Sequence, residues 1–172
     1  MFNKEFEKIN KKRYETGDLK LRILGIDYGT SRIGVAISDP FGWIAQPLET
    51  IDWKGNINCP VERIMSIVDE YKVGKIIVGY PKNMNGTLGE SAAKTDKFIK
   101  HLAKKACNLE IIKWDERLST VAANRILNES GVKATVKSKA IDSLAATYIL
   151  QGYLDRLKNE EAKINESKES IE

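Results

Sequence analysis

Three acidic positions carry the chemical interest of this sequence. Asp27 sits inside an apolar, strand-like run, Leu24-Gly25-Ile26-Asp27-Tyr28-Gly29. A carboxylate there is costly unless a cation or hydrogen bonds meet it. The structural alternative is a strand-end Asp capping the Gly29-Thr30 turn. Asp142 falls in a helical stretch, with Ala145, Ala146 and Ile149 as its face-mates at i+3, i+4 and i+7. The acid therefore lies on an apolar stripe, although a place in the first turns of a helix also suits an anion. Asp115 and Glu116 follow a strand-like run from Glu110 to Trp114. Adjacent side chains on a strand alternate, so one of the pair points to the Asp27 side, and Glu116 has the longer reach. Otherwise Asp115 caps the next helix while Glu116 pairs with Arg117. Converging carboxylates without histidine suit Mg²⁺ or Mn²⁺, hard ions that take oxygen ligands. Two such ions about 4 Å apart can stabilise both the attacking and the leaving oxygen in phosphodiester hydrolysis.

Basic groups frame these acids. The segment Gly131 to Lys139 contains Lys133, Lys137 and Lys139 and no acid, just ahead of Asp142. Lys97, Lys100 and Lys104 share one helix face opposite an apolar stripe. Either group could hold phosphates, although a lysine face is more often plain solvated surface. The loop Tyr80 to Thr87, which includes Asn83, reads as a substrate-contacting flap, and ordinary turn chemistry explains most of it. His101 is the single histidine, and Cys59 and Cys107 have no partner at metal-ligand spacing. These counts exclude a disulfide scaffold, a zinc module, a Ser-His-Asp hydrolase and, unless His101 works alone, a histidine-based nuclease. Reduced thiols and a cytoplasmic location are the expectation.

The elements that must position these residues can be read in order. Leu21 to Tyr28, Arg32 to Asp39 and Gln46 to Ile51 read as strands joined by tight turns, hence antiparallel neighbours. Pro60 opens a helix with Ile64, Ile67, Val68 and Tyr71 along one face. Lys75 to Gly79 is a nearly all-apolar strand, as expected when both faces are covered. Glu90 to Cys107 is helical, with Phe98, Ile99, Leu102, Ala103 and Ala106 as its buried stripe. Glu110 to Trp114 is a fifth strand, Leu118 to Glu129 a helix, and Ser138 to Tyr153 a last, strongly apolar helix. The pattern predicts an α/β fold: a mixed five-stranded sheet, three antiparallel strands then two parallel, flanked by helices.

The 172 residues carry 28 Lys and Arg against 24 Asp and Glu, a net charge of +4. That permits a nucleic-acid partner without demanding one. No run approaches the roughly 18 apolar residues of a membrane span, and the charged N-terminus does not read as a secretory signal. Residues 1–20 read as an appended segment in which Phe2, Phe6 and Ile9 have helical spacing. Residues 21–154 form the domain. Residues 155–172 read as a fraying helix end or a charged tail.

Four blocks of this sequence resemble the YqgF (RuvX) family. They are Leu24 to Thr30 with Arg32 to Asp39, Val78 to Gly86, Asp115 to Thr120, and Ile141 to Ala146 running into Leu150 to Tyr153. The resemblance implies an RNase H-like fold related to the Holliday-junction resolvase RuvC. It also implies a metal-dependent nuclease, of a kind named both as junction resolvase and as maturing the 5′ end of precursor small-subunit ribosomal RNA. Carried over by that resemblance, Asp27, Glu116 and Asp142 are the Mg²⁺ or Mn²⁺ ligands and Asp115 a neighbour of the site. Arg32, Asn83, Arg117, Lys133, Lys137 and Lys139 would then hold the nucleic-acid backbone. Precursor rRNA is preferred over branched DNA, and the chain would act as a monomer or a homodimer. One departure stands out: the fourth strand ends in Gly79-Tyr80-Pro81, where the resolvases would place an acid.

Two rival classes fit some of the same residues. Asp27-Tyr28-Gly29-Thr30 also resembles the phosphate-binding hairpin of ATP-using phosphotransferases, which need two such domains around the nucleotide. A non-catalytic nucleic-acid or ribosome-binding module on a degenerate nuclease fold is the other, and the presence of all three acids argues against decay.

Overall fold

The computed structural model describes residues 21–82, 89–106, 109–115 and 134–169, with side chains of the last stretch described over 142–164. Within them lie β1 (Arg22–Tyr28), β2 (Arg32–Ser38), β3 (Ala45–Asp52), α1 (Asn58–Tyr71), β4 (Val73–Tyr80), α2 (Glu90–Lys105), β5 (Glu110–Asp115) and α3 (Ala134–Glu169). The expected Leu118–Glu129 helix and residues 1–20 lie outside the described residues.

Short turns make β1, β2 and β3 an antiparallel meander, while the crossovers through α1 and α2 make β4 and β5 parallel to β1. The sheet order is β3-β2-β1-β4-β5. The expected mixed sheet is thus the one observed. At the β3 edge, Pro47 opposes Ala36 beside a register shift in β2. An edge strand tolerates a residue that cannot donate to the ladder.

Alternation along the strands sorts side chains to two faces. Leu24 and Ile26 of β1, Ile33 and Val35 of β2, and Ile76 and Val78 of β4 face α1 and α2, against Val61, Ile64, Ile67, Phe98 and Leu102. Burying each such side chain stabilises the fold by about 1.5–3 kcal/mol. On the other face, Ala36, Ile77 and Trp114 meet Ala146, Ile149, Leu150, Tyr153 and Leu154 of α3. The buried stripe of α2 runs through Ala92, Thr95, Phe98 and Leu102. Ala103, expected on it, is exposed: the stripe advances in steps of three and four, which turns position 103 away from the sheet.

The last helix is longer than its apolar core. It begins at Ala134, ahead of the expected Ser138, and continues through the charged residues after Tyr153 to Glu169. At 1.5 Å per residue its 36 residues span about 54 Å, well beyond the width of the sheet. Its central part lies flush on β1 and β2 because those strands have glycine beneath it. A Cβ at Gly25 would meet Leu150 Cβ at 2.7 Å, and one at Gly34 would lie 1.9 Å from the Asp142 carbonyl oxygen. The small Ala146 completes the seat, as the pattern around Asp142 suggested.

The β2–β3 turn is held from within. Asp39 accepts hydrogen bonds from the backbone N–H groups of Trp43 (2.6 Å), Ile44 (2.9 Å) and Phe41 (3.3 Å). Gln151 of α3 accepts from Ala45 N–H and donates to the Trp43 carbonyl, pinning this end of the hairpin to the helix.

The glycine seat yields a stability prediction. Gly34→Ala cannot be accommodated without lifting α3 off the sheet, because the obstructing atom is backbone. Urea unfolding should show a loss of about 3 kcal/mol, the upper end of overpacking costs, with an unchanged denaturant slope. A loss under about 0.5 kcal/mol would mean that the helix does not rest on this residue.

Candidate active site

Asp27 is the sixth residue of β1, and alternation gives it the α3 face while Ile26 and Tyr28 face α1 and α2. Tyr28 stacks on Phe98 (ring centroids 4.6 Å apart) and so anchors the end of the strand from below. Across the ladder, Asp27 pairs with Gly34. The position above Gly34 is filled by the backbone of Asp142. Two acids separated by more than a hundred residues thus meet over one glycine.

Their electrostatics bear out the closeness. Burial pushes the Asp27 carboxyl up to about 6, and the Asp142 charge pushes in the same direction. Asp142 is also raised, by burial first; Arg32 pulls it down and Asp52 pushes it up again. Arg32 Nε lies 2.9 Å from Asp142 Oδ2. The N–H is not aimed at that oxygen, so the buried Oδ2 has a charge partner but no aligned hydrogen bond. Arg32 belongs to the expected nucleic-acid-binding set, and the structure places it beside the acid pair.

Asp52 was not among the expected residues. It is the cross-strand neighbour of Arg32, hence on the same face, and it acts on Asp142 through its charge. The legible signal was hairpin pairing, which sets the end of β3 opposite the start of β2.

The other expected residues divide. Asp115 pairs in register with Tyr80, whose hydroxyl donates to Asp96 of α2, so both face α2 rather than Asp27. Lys82 Nζ lies 3.4 Å from Asp115 Oδ2. Strand alternation therefore takes Asp115 away from the acid pair. Glu116, Asn83, Arg117 and Lys133 lie outside the described residues. Lys137 and Lys139 fall in the first turns of α3, ahead of Asp142 on the same helix, with their side chains outside the described set. The Lys97, Lys100 and Lys104 stripe sits on α2, across the sheet from Asp27.

The donor set fits a hard divalent cation. A buried carboxylate oxygen without an aligned hydrogen bond stands beside a second acid whose ionisation it opposes, and a cation would relieve both. Among the described residues no group of three His, Cys, Asp or Glu could hold a metal ion. Asp27 and Asp142 are the two carboxylates that the described residues bring together here.

Comparisons with known proteins identify the family and the fold. The model of the RuvX family, described as Holliday junction resolvase, matches residues 21–156. A protein of Acetivibrio thermocellus named "Putative pre-16S rRNA nuclease" is 56% identical over 135 residues, covering 78% of this chain and 96% of its own length. A Clostridium tetani protein of the same name is 50% identical over 139 residues, covering 81% and 99%. Among solved structures, T. thermophilus RuvC in complex with Holliday junction substrate aligns at a TM-score of 0.53 and 14% identity. That alignment covers 80% of this chain and 96% of the RuvC chain. It shows the RNase H-like fold.

The raised Asp27 carboxyl has a signed consequence for the metal-free protein. Between about pH 4 and pH 6 the native state keeps a proton that the unfolded chain has lost. Stability therefore falls as pH rises through that window and stays low above it. In EDTA, Asp27→Asn should be more stable than the parent at pH 7.5 by up to about 3 kcal/mol, with the difference closing below pH 4. Urea titrations across pH measure this, and a pH-independent difference would show that the carboxyl is not strained.

Proposed function

This chain belongs to the RuvX family of nucleases, and on that premise we propose that it is a Mg²⁺- or Mn²⁺-dependent endonuclease acting in 5′-end maturation of precursor 16S rRNA. The observation that carries this reading is the meeting of Asp27 and Asp142 over Gly34, with Arg32 alongside. A strained acid pair, one member of which touches a guanidinium, has no structural purpose that an apolar pair would not serve better.

Asp27, Asp142 and Glu116 would hold the metal. Glu116 is included because the block Asp115 to Thr120 resembles the family; in β5 itself Trp114 turns toward α3 and Asp115 toward α2. When bound, a divalent ion supplies Lewis-acid polarisation of the phosphoryl group and an activated water. Asp27 and Asp142 offer their charge only when ionised, which for Asp27 means above about pH 6 in the absence of metal. Arg32 orients Asp142 from one side and presents positive charge where a phosphate would arrive. Lys137 and Lys139 on the first turns of α3, with Lys133 and Arg117, would extend that positive field along the strand. A nucleic acid is the substrate class; the RNA preference rests on the names of the relatives. Among the described residues no helix is long and apolar enough to cross a membrane, and action on rRNA in the cytoplasm accords with that.

A cleavage panel tests the reading. Precursor 16S rRNA, unstructured RNA and a four-way DNA junction should be offered with Mn²⁺, with Mg²⁺ and with EDTA. Metal-dependent cleavage of the precursor is expected. Asp27→Asn and Asp142→Asn should each lower it at least about a hundredfold, the equivalent of about 3 kcal/mol of lost charge stabilisation. RNA binding should persist in both variants. Preferential cutting of the junction would transfer the assignment to DNA. Undiminished cleavage in EDTA or by Asp27→Asn would end it.

A further inference from the structure

Next to the acid pair lies a cleft that the mechanism above does not use. It has a volume of about 480 Å³ and is lined by Ser31, Arg32, Asp52, Trp53 and Lys54. Ser31 and Arg32 come from the β1–β2 turn and the start of β2; Asp52, Trp53 and Lys54 come from the end of β3 and the residues after it. We propose that this cleft is a subsite for one nucleotide of the substrate strand next to the scissile phosphodiester, with Trp53 against its base and Lys54 and Arg32 against its phosphate. The inference rests on the nuclease reading and deepens it.

Its position gives the first argument. Arg32 is a wall of the cleft, and the same side chain touches Asp142 at 2.9 Å. Arg32 therefore links Asp142 on the α3 face to a cleft at the end of the sheet whose Trp53 wall packs toward α1 and α2, so a strand lying across that end could reach both. The volume also falls in the range of small-ligand sites.

Its walls give the second argument. Trp53 is held in place: its indole N–H donates to the Gly29 carbonyl (3.1 Å) and its ring packs against Tyr28 (centroids 5.9 Å apart). The Trp53 backbone N–H donates to the Ser31 carbonyl (3.0 Å), tying the two sides of the cleft together. A fixed aromatic wall loses little entropy when a base settles on it, and every base has a face to offer. Lys54 is exposed at the rim, where a lysine meets a phosphate as a point charge. Ser31 adds a hydroxyl that can donate or accept, and Asp52 adds an acceptor, which a phosphate does not want and a base amino group or a ribose hydroxyl does. A purely anionic ligand would be poorly served by Asp52; a nucleotide uses both kinds of group.

Binding and cleavage are read separately to test this. The full chain carrying Asp27→Asn is titrated with a fluorescein-labelled single-stranded RNA 12-mer, and with the same 12-mer bearing one abasic nucleotide at each position in turn. Anisotropy should fall off about tenfold in affinity for an abasic residue near one position, in the range for loss of one aromatic stack. Adding Trp53→Leu should make the protein indifferent to that position. Adding Lys54→Ala should weaken every 12-mer and reduce the salt dependence by about one phosphate contact. If Trp53→Leu does not fold by near-ultraviolet dichroism, the abasic scan together with Lys54→Ala decides the matter. Unchanged affinity and salt slope in Lys54→Ala, with a flat abasic scan in the parent, would overturn the subsite. Persistent sensitivity to the abasic position in folded Trp53→Leu would move the base elsewhere and overturn it too. Wild-type protein incubated with precursor 16S rRNA, unstructured RNA and a four-way DNA junction in Mn²⁺ reports on the nuclease reading by itself. Absence of cleavage there, with the binding pattern as expected, would overturn the hydrolytic role and leave the nucleotide site standing.

Discussion

The closeness of α3 to Gly34 is the constraint on which the site depends. Asp27 is fixed by its place in a central strand, but Asp142 reaches it only because the helix backbone occupies the space a side chain at position 34 would take. Gly25 and Ala146 extend the same seat along the helix, and Leu150, Tyr153 and Leu154 fasten its far side to the sheet. Packing energy spread over that face holds two like charges together. An opposed pair is unfavourable in isolation, and a fold keeps one only when the surroundings over-determine the geometry.

Arg32 links this pair to the surface. It sits on the same face as Asp142 and Asp52 and lines the neighbouring cleft. Its contact with Asp142 has a short N···O distance but a poorly directed N–H, a weaker tether than a bidentate pair. Such a cation orients the carboxylate without saturating it. The buried Oδ2 keeps capacity for another partner. Asp52 tempers the arrangement by adding negative charge on the side away from Asp27.

How far the sequence foretold this follows from the range of the signals. Strand periods and tight turns are local, so the five strands, their order class and the two-sided burial of β4 were legible. The apolar face-mates of Asp142 placed that acid against the sheet correctly, because helix period alone determines them. Other features were not local. The cleft beside Arg32 arises from hairpin pairing of residue 32 with residue 52, and no property of Asp52, Trp53 or Lys54 alone marks it. The extension of α3 to Glu169 was hidden because its later turns bury little and contain mixed charge, which reads equally as helix or tail. Ala103 was read as part of the buried stripe of its helix, where a one-residue step around the helix decides exposure.

The fourth strand offers no acid beside Asp27. One step beyond the Ile26–Val78 pair, Asp27 has Gly79 as its neighbour in β4, and Gly79 in turn pairs with Trp114. At the level of Asp27, β4 thus has no side chain to offer on the α3 face. Any carboxylate from β5 must cross two inter-strand spacings, about 10 Å. Asp115 does not do so, since its parity sends it to the α2 face beside Tyr80 and Lys82. A glycine at that level is nevertheless what such a crossing requires. A longer residue at position 79 would stand between Asp27 and an acid arriving from the end of β5. The glycine at position 79 thus leaves the α3 face open beside Asp27, so a further ligand at that level has to come from outside β4.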